Sequence, residues 1–151
     1  FTRAWLAHAL MQRRGRLKPL LLDQAFLAGL GNIYVDEALH RARLHPLRAS
    51  DSLSCDEVNR LHREIRAILA AAIEREGSSF DGFYRTPEGR PGSYQHLFRV
   101  YGRAGRACWR CGTSIERIVV GQRGTHFCPR CQVSGQQRSA GKNAARARSS
   151  R

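Results

Sequence analysis

The chain has 151 residues and a formal charge of +14, long enough to bury one core plus a small stapled unit. No run of eighteen apolar residues occurs, so no transmembrane helix is expected. The charge is uneven: residues 1–88 hold thirteen Lys/Arg against eleven Asp/Glu, net +2, while residues 89–151 hold thirteen against Glu116 alone, net +12. A polyanion is the expected partner, and nucleic acid suits it better than a membrane, because no basic amphipathic helix with an aromatic face stands out. Arginine outnumbers lysine twenty-four to two, which makes Lys18 conspicuous. The first residue is Phe1 and not Met, so the chain is expected to be a piece of a longer product.

In chain order, Thr2 to about Arg14 reads as a helix with Trp5, Leu6, Ala9 and Leu10 at helical spacing, ended by Gly15. Pro19 suits a first helical turn, so Leu20-Leu21-Leu22-Asp23-Gln24 reads as a short buried helix. Lys18 falls just before it, at the surface end, where a solvated loop lysine is the plain alternative to a functional one. Gly29-Leu30-Gly31-Asn32 is a glycine-punctuated turn opening a helix from about Ile33 to Arg41, with Ile33, Ala38 and Leu39 as its apolar contacts. Asn32 is a good N-cap. A helix start behind glycines is equally a phosphate site. Asp36 and Glu37 lie in the early turns, where they favour the helix dipole, or Glu37 serves the site. The histidines show no paired ligand spacing and read as structural or surface residues.

Ser54-Cys55-Asp56-Glu57 fits a capping box. Its helix runs to about Glu76 with Val58, Leu61, Ile65, Ile68, Leu69, Ala72 and Ile73 on the buried side. Cys55 reads as an inert thiol. Residues 80–95 are rich in turn signals and aromatic residues, the pattern of a lid or ligand loop. Residues 97–101 read as a strand-like link. The tail after Cys131 lacks core residues and reads as disordered and basic.

Cys108-Trp109-Arg110-Cys111 and Cys128-Pro129-Arg130-Cys131 are two C-x-x-C pairs at the spacing of a four-cysteine zinc site. Four thiolates around one zinc leave no open position, so the metal holds a fold and does no chemistry. Two disulfides are the alternative, suited to a secreted chain, but with no signal-peptide pattern read ahead of the cysteines zinc is the expectation. Between the pairs, Ile115 to Val120 reads as one strand, Gly121-Gln122-Arg123-Gly124 as the turn and Thr125-His126-Phe127 as the return strand. Arg123 is either a solvated turn arginine or a cation presented on a stiff finger.

Leu17-Lys18-Pro19-Leu20-Leu21-Leu22-Asp23-Gln24, then Ala28 through Leu39 with Gly29-Leu30-Gly31-Asn32-Ile33-Tyr34, then His45-Pro46, closely resemble the helix-two-turns-helix domain of the formamidopyrimidine-DNA glycosylase and endonuclease VIII family. Val100-Tyr101-Gly102-Arg103, Cys108…Cys111-Gly112-Thr113, Gly121-Gln122-Arg123-Gly124-Thr125 and Phe127-Cys128-Pro129-Arg130-Cys131-Gln132 resemble its C-terminal zinc finger. The loop containing Gly89-Arg90-Pro91-Gly92-Ser93-Tyr94-Gln95 looks more like the formamidopyrimidine branch, where such a loop closes over an everted oxidised purine.

The resemblance implies a mainly α member of the α+β class. Its expected divisions are a helix-two-turns-helix domain (1–76), a lesion-capping loop (77–95), a linker (96–107), a four-cysteine zinc-finger hairpin (108–132) and a basic tail (133–151). It implies one structural zinc on Cys108, Cys111, Cys128 and Cys131, and DNA contacts from Lys18, Asn32 and Arg123, with Tyr34 supporting Asn32. The partner is double-stranded DNA with a damaged base or abasic site; a monomer in the bacterial cytoplasm, nucleoid-associated through DNA and without a membrane partner, is expected. The family's nucleophile is an N-terminal proline followed by glutamate, at the head of a β-rich domain absent from this chain. Its amine attacks the sugar C1′ through a Schiff base, and β- and δ-elimination then cut the strand. The chain alone is therefore expected to be inactive, with no catalytic residue of its own. The alternatives are a stand-alone, noncatalytic, zinc-dependent DNA-binding module, or an endonuclease VIII-like glycosylase for oxidised pyrimidines.

Overall fold

The computed structural model describes residues 1–74 and 98–134. The elements in order are α1 (Arg3–Gln12), α2 (Leu17–Leu22), α3 (Asn32–Arg41), a 3-10 turn at Ser50–Ser52, α4 (Cys55–Glu74), β1 (Glu116–Val120) and β2 (Arg123–Phe127). This is the expected mainly α chain with a small antiparallel hairpin. The expected capping loop and most of the tail fall at 75–97 and 135–151, outside the described residues.

Thr2 starts α1, its Oγ1 accepting the Trp5 N–H at 3.1 Å. Leu6 and Leu10 face inward, whereas Trp5 is 44% exposed and lies at the edge of the core. A buried Ser50 closes the α1–α2 corner: its hydroxyl donates to the Arg13 carbonyl and accepts the Gly15 N–H. Helix α2 begins at Leu17, earlier than the sequence suggests, with Pro19 in its first turn. The N–H groups of Leu17 and Lys18, which no helical carbonyl can satisfy, go to the carbonyls of Arg48 and Pro46.

Gly29 adopts φ +93°, the left-handed turn that reverses the chain before α3. The Gly31 carbonyl accepts the Val35 N–H, so Gly31 is the N-cap and Asn32 the first helical residue. The capping box on α4 is formed in both directions: Ser54 Oγ accepts the Glu57 N–H, and Glu57 Oε2 accepts the Ser54 N–H. Arg48 pairs with the same Glu57 carboxylate at 2.9 Å and ties the loop to the helix start. Val58, Leu61, Ile65, Ile68 and Ala72 form the buried stripe of α4. Ile73, expected on that stripe, is 80% exposed, since Ala72 is the last α4 residue the core reaches.

The four helices enclose one core in which Leu6, Leu17, Leu21, Leu30, Leu39, Leu61 and Ile65 are fully covered. A second cluster (Val100, Cys108, Ile115, Cys128) supports the hairpin. The strands pair from Glu116↔Phe127 to Val120↔Arg123. Gly121 and Gln122 both have positive φ, +54° and +65°, giving a two-residue turn of the kind that matches strand twist. This turn is shorter than the four residues expected, and Arg123 is thus the first residue of the return strand. Residues 98–101 form no strand; the N–H groups of Arg99, Val100 and Tyr101 have another acceptor, described below.

Candidate nucleic-acid interface and metal centre

Helix α3 joins the two clusters. Asn32, Asp36 and His40 recur every four residues and therefore share one face. Each reaches a different part of the hairpin unit. Asn32 Nδ2 donates to the Gly124 carbonyl at 3.2 Å. Asp36 Oδ2 accepts the His126 N–H at 3.0 Å. His40 Nε2 lies 3.4 Å from Cys108 Sγ. Glu37, one step around the helix and fully buried, accepts the N–H groups of Arg99, Val100 and Tyr101 at 2.9–3.1 Å. Neither carboxylate serves the helix dipole. Burial raises the Glu37 pKa, against the three N–H bonds and the Arg41 charge that lower it. Gln132 completes the joint, bonded to the Cys128 N–H and the Leu44 carbonyl.

Lys18 is not the surface lysine its position suggests. It lies inside α2 and is 0% exposed. Its ammonium donates to Asp36 Oδ1 at 2.6 Å and to the Gly124 carbonyl at 3.0 Å. Burial lowers its pKa, opposed by Asp36, and the nearby Arg123 charge lowers it further. Lys18 and Asn32 therefore converge on one carbonyl, that of the residue after Arg123. Arg123 itself is exposed, and its guanidinium has no hydrogen bond or ion pair among the described residues. Asn32 Oδ1 is buried without a hydrogen-bond partner among the described residues. Tyr34 is half-buried against the helical core.

The four cysteines are free of disulfides, and their sulfurs all lie within 4.8 Å of one another. Zinc–sulfur bonds of about 2.3 Å at tetrahedral angles require S···S separations of about 3.8 Å. The observed Cys111–Cys128 and Cys108–Cys131 separations of 3.5 and 4.0 Å bracket that value. In each knuckle a backbone N–H points at sulfur, Arg110 at Cys108 and Cys131 at Cys128, as thiolate acceptors need. Hydrogen bonds from Thr113 hold the Cys111 thiol down at about 6, whereas burial pushes Cys128 up to about 12. The set fits one structural zinc, and ligation would deprotonate the thiols that burial keeps neutral. Burial and the surrounding arginines, Arg110 foremost, push the His40 pKa down to about 3.

The sequence points to Lys18, Asn32, Tyr34, Arg123 and the four cysteines. The structure brings Lys18, Asn32 and the Arg123–Gly124 backbone together, and gathers the cysteines. The Asp36 and His40 contacts and the Gly124 acceptor escape sequence reasoning. The polar residues at 32, 36 and 40, spaced to share one face of α3, are the available signal.

Among the described residues no helix is long and apolar enough to cross a membrane. The family profile described as "Formamidopyrimidine-DNA glycosylase H2TH domain" matches residues 1–83, and that described as "Zinc finger found in FPG and IleRS" matches 105–133. The chain is similar to the formamidopyrimidine-DNA glycosylase of Deinococcus radiodurans, 54% identical over 135 residues, covering 87% of this chain and 48% of the relative. The crystal structure of the MutM (Fpg) protein from Thermus thermophilus superposes with TM-score 0.84 at 50% identity, over 89% of this chain and 51% of that one. A complex of Lactococcus lactis Fpg with DNA containing an abasic site gives TM-score 0.80 at 42% identity, over 88% and 48%. The chain spans about half the length of the relatives it matches. With this helical profile covering more than half of its residues, the chain belongs to the formamidopyrimidine-DNA glycosylase H2TH family.

Proposed function

We propose that the chain is the DNA-gripping C-terminal half of a bifunctional DNA glycosylase/AP lyase. The whole protein removes oxidised purines from duplex DNA and nicks the resulting abasic strand. The observation that carries this reading is the convergence of Lys18 Nζ and Asn32 Nδ2 on the Gly124 carbonyl. That contact sets the start of α3 and the finger tip side by side, and Arg123, the residue before Gly124, is exposed.

The chemistry follows from the geometry. A base must leave the stack before its glycosidic bond is reachable, and the distorted backbone must be held meanwhile. The N–H groups of the first turn of α3, which no helical carbonyl satisfies, and the Arg123 cation together suit one or two phosphates. Such contacts position a duplex without reading its sequence, as repair at any site requires. Lys18 braces this clamp from beneath. Its ammonium is buried and held by Asp36 and the Gly124 carbonyl, which suits a brace and not the nucleophile. The catalytic amine and its glutamate belong to a preceding β-rich domain. Zinc on Cys108, Cys111, Cys128 and Cys131 holds the finger and takes no part in bond breaking.

The names of the relatives favour the oxidised-purine branch over an endonuclease VIII-like enzyme. That this chain covers about half of each favours a piece of a larger enzyme over a stand-alone module. The enzyme works as a monomer on chromosomal DNA in the cytoplasm.

The test is the intact mass of the native product, with borohydride trapping on abasic DNA. The expected result is a mass about twice that of this chain, given its 48% share of its relatives, and a covalent adduct through an N-terminal proline. A product of this chain's mass that forms no adduct would contradict the enzymatic reading.

A further inference from the structure

His40 lies one helical turn beyond Asp36 and is fully buried, although it belongs to neither the clamp nor the four-cysteine set. It touches the first cysteine knuckle twice. Its Nε2 is 3.4 Å from Cys108 Sγ, and its carbonyl accepts a hydrogen bond from Arg110 Nη1 at 3.2 Å. Its Nδ1 has no hydrogen-bond partner among the described residues.

The acceptor decides the tautomer. A metal-bound Cys108 is a thiolate, which offers lone pairs only. A bare ring nitrogen facing it at 3.4 Å would set lone pair against lone pair, whereas an N–H makes a charge-assisted bond. We propose that His40 is a positioning residue of the metal centre, its Nε2–H donating to the Cys108 thiolate while Nδ1 carries the lone pair. Cys108 then has two donors, the Arg110 backbone N–H and the His40 ring. Four thiolates around one divalent cation leave excess negative charge on sulfur, and a donor from α3 draws part of it off. The same bond fastens the metal-bearing knuckle to the helix that carries Asn32 and Asp36. An apolar ring at position 40 would fill the space and leave the sulfur without its second donor. The inference stands on the metal centre alone, and its readouts need no DNA.

The decisive measurement is a long-range proton–nitrogen NMR correlation on the zinc-loaded, nitrogen-15-labelled chain. The expected result is His40 protonated at Nε2 alone; a proton on Nδ1 with a bare Nε2 overturns the proposal. With cobalt(II) in place of zinc, His40→Phe is expected to move the thiolate-to-metal charge-transfer band to lower energy. It should also weaken zinc about tenfold, the lower end of the range for lost outer-shell donors. His40→Gln, which keeps an amide N–H, should recover part of both. An unmoved band and unchanged zinc affinity in a folded His40→Phe chain would also overturn the proposal. If that variant does not fold, the tautomer measurement decides.

Discussion

Lys18 Nζ and Asp36 Oδ1 lie 2.6 Å apart with neither side chain exposed to solvent. The pair joins α2 to α3, and each partner also reaches the finger: Lys18 to the Gly124 carbonyl, Asp36 to the His126 N–H. A buried pair of this kind is held in place by the cost of breaking it. Removing one partner strands the other, at about 3–5 kcal/mol. Lys18→Met should therefore destabilise the zinc-loaded chain by that amount in chemical denaturation. Adding Asp36→Asn should recover more than half, because the amide carries no charge and its oxygen still accepts the His126 N–H. A double variant no more stable than Lys18→Met would show that the stranded charge is not the cause.

Asn32 separates capping from binding. Gly31 is the N-cap, and the Asn32 amide is turned toward Gly124. Asn32→Ala should cost only the net worth of one hydrogen bond, about 1 kcal/mol. It should weaken binding to abasic-site DNA by more than that loss of folding explains. Thermal melting and fluorescence anisotropy on the same samples check this; a stability loss with unchanged DNA affinity would leave Asn32 a structural residue.

Glu37 gives a pH signature. Its folded pKa is raised, chiefly by burial, so on raising pH the unfolded chain gives up this proton first. The stability tied to Glu37 is then greatest below the unfolded value and falls as pH climbs from there through the folded pKa. The stability of the native chain relative to Glu37→Gln should therefore decline as pH rises above about 4.5, the ordinary value of the group. Denaturant midpoints of both proteins across that range read it directly. A difference that grows with pH would mean that the three N–H bonds outweigh burial.

Zinc removal should separate the two clusters. Among the described residues, the helical core takes only Phe98 and Tyr101 from the chain after α4, whereas the second cluster is built around the cysteines. Chelation is expected to leave most helical circular dichroism intact while the finger amides lose their NMR dispersion and DNA binding falls. Undiminished binding after verified metal loss would remove the finger from the clamp.

What the sequence reveals is what is local. The C-x-x-C pairs and the Ser54–Glu57 capping box are set by spacings of three residues, and both form as read. The hairpin is legible too, though its turn tightens to Gly121-Gln122 because both adopt positive φ. The burial of Lys18 is not legible, because its partners, Asp36 and Gly124, lie 18 and 106 residues away. No periodicity announces such a contact. The same holds for His40 and Cys108, 68 residues apart: a search for paired histidine ligands passes over a donor to someone else's ligand. Trp5 and Ile73 follow the helical period but lie where the core ends, a boundary set by tertiary packing.

In the proposed reading, the start of α3 and the finger tip form one phosphate clamp with Arg123 as its free cation. The salt dependence of binding to an abasic-site duplex, for the zinc-loaded chain and for Arg123→Ala, tests it most directly. Weaker binding is expected for the variant, with a slope of log affinity against log salt shallower by about 0.9, the release of one phosphate contact. An Arg123→Ala chain that stays folded and keeps both the affinity and the slope would contradict it.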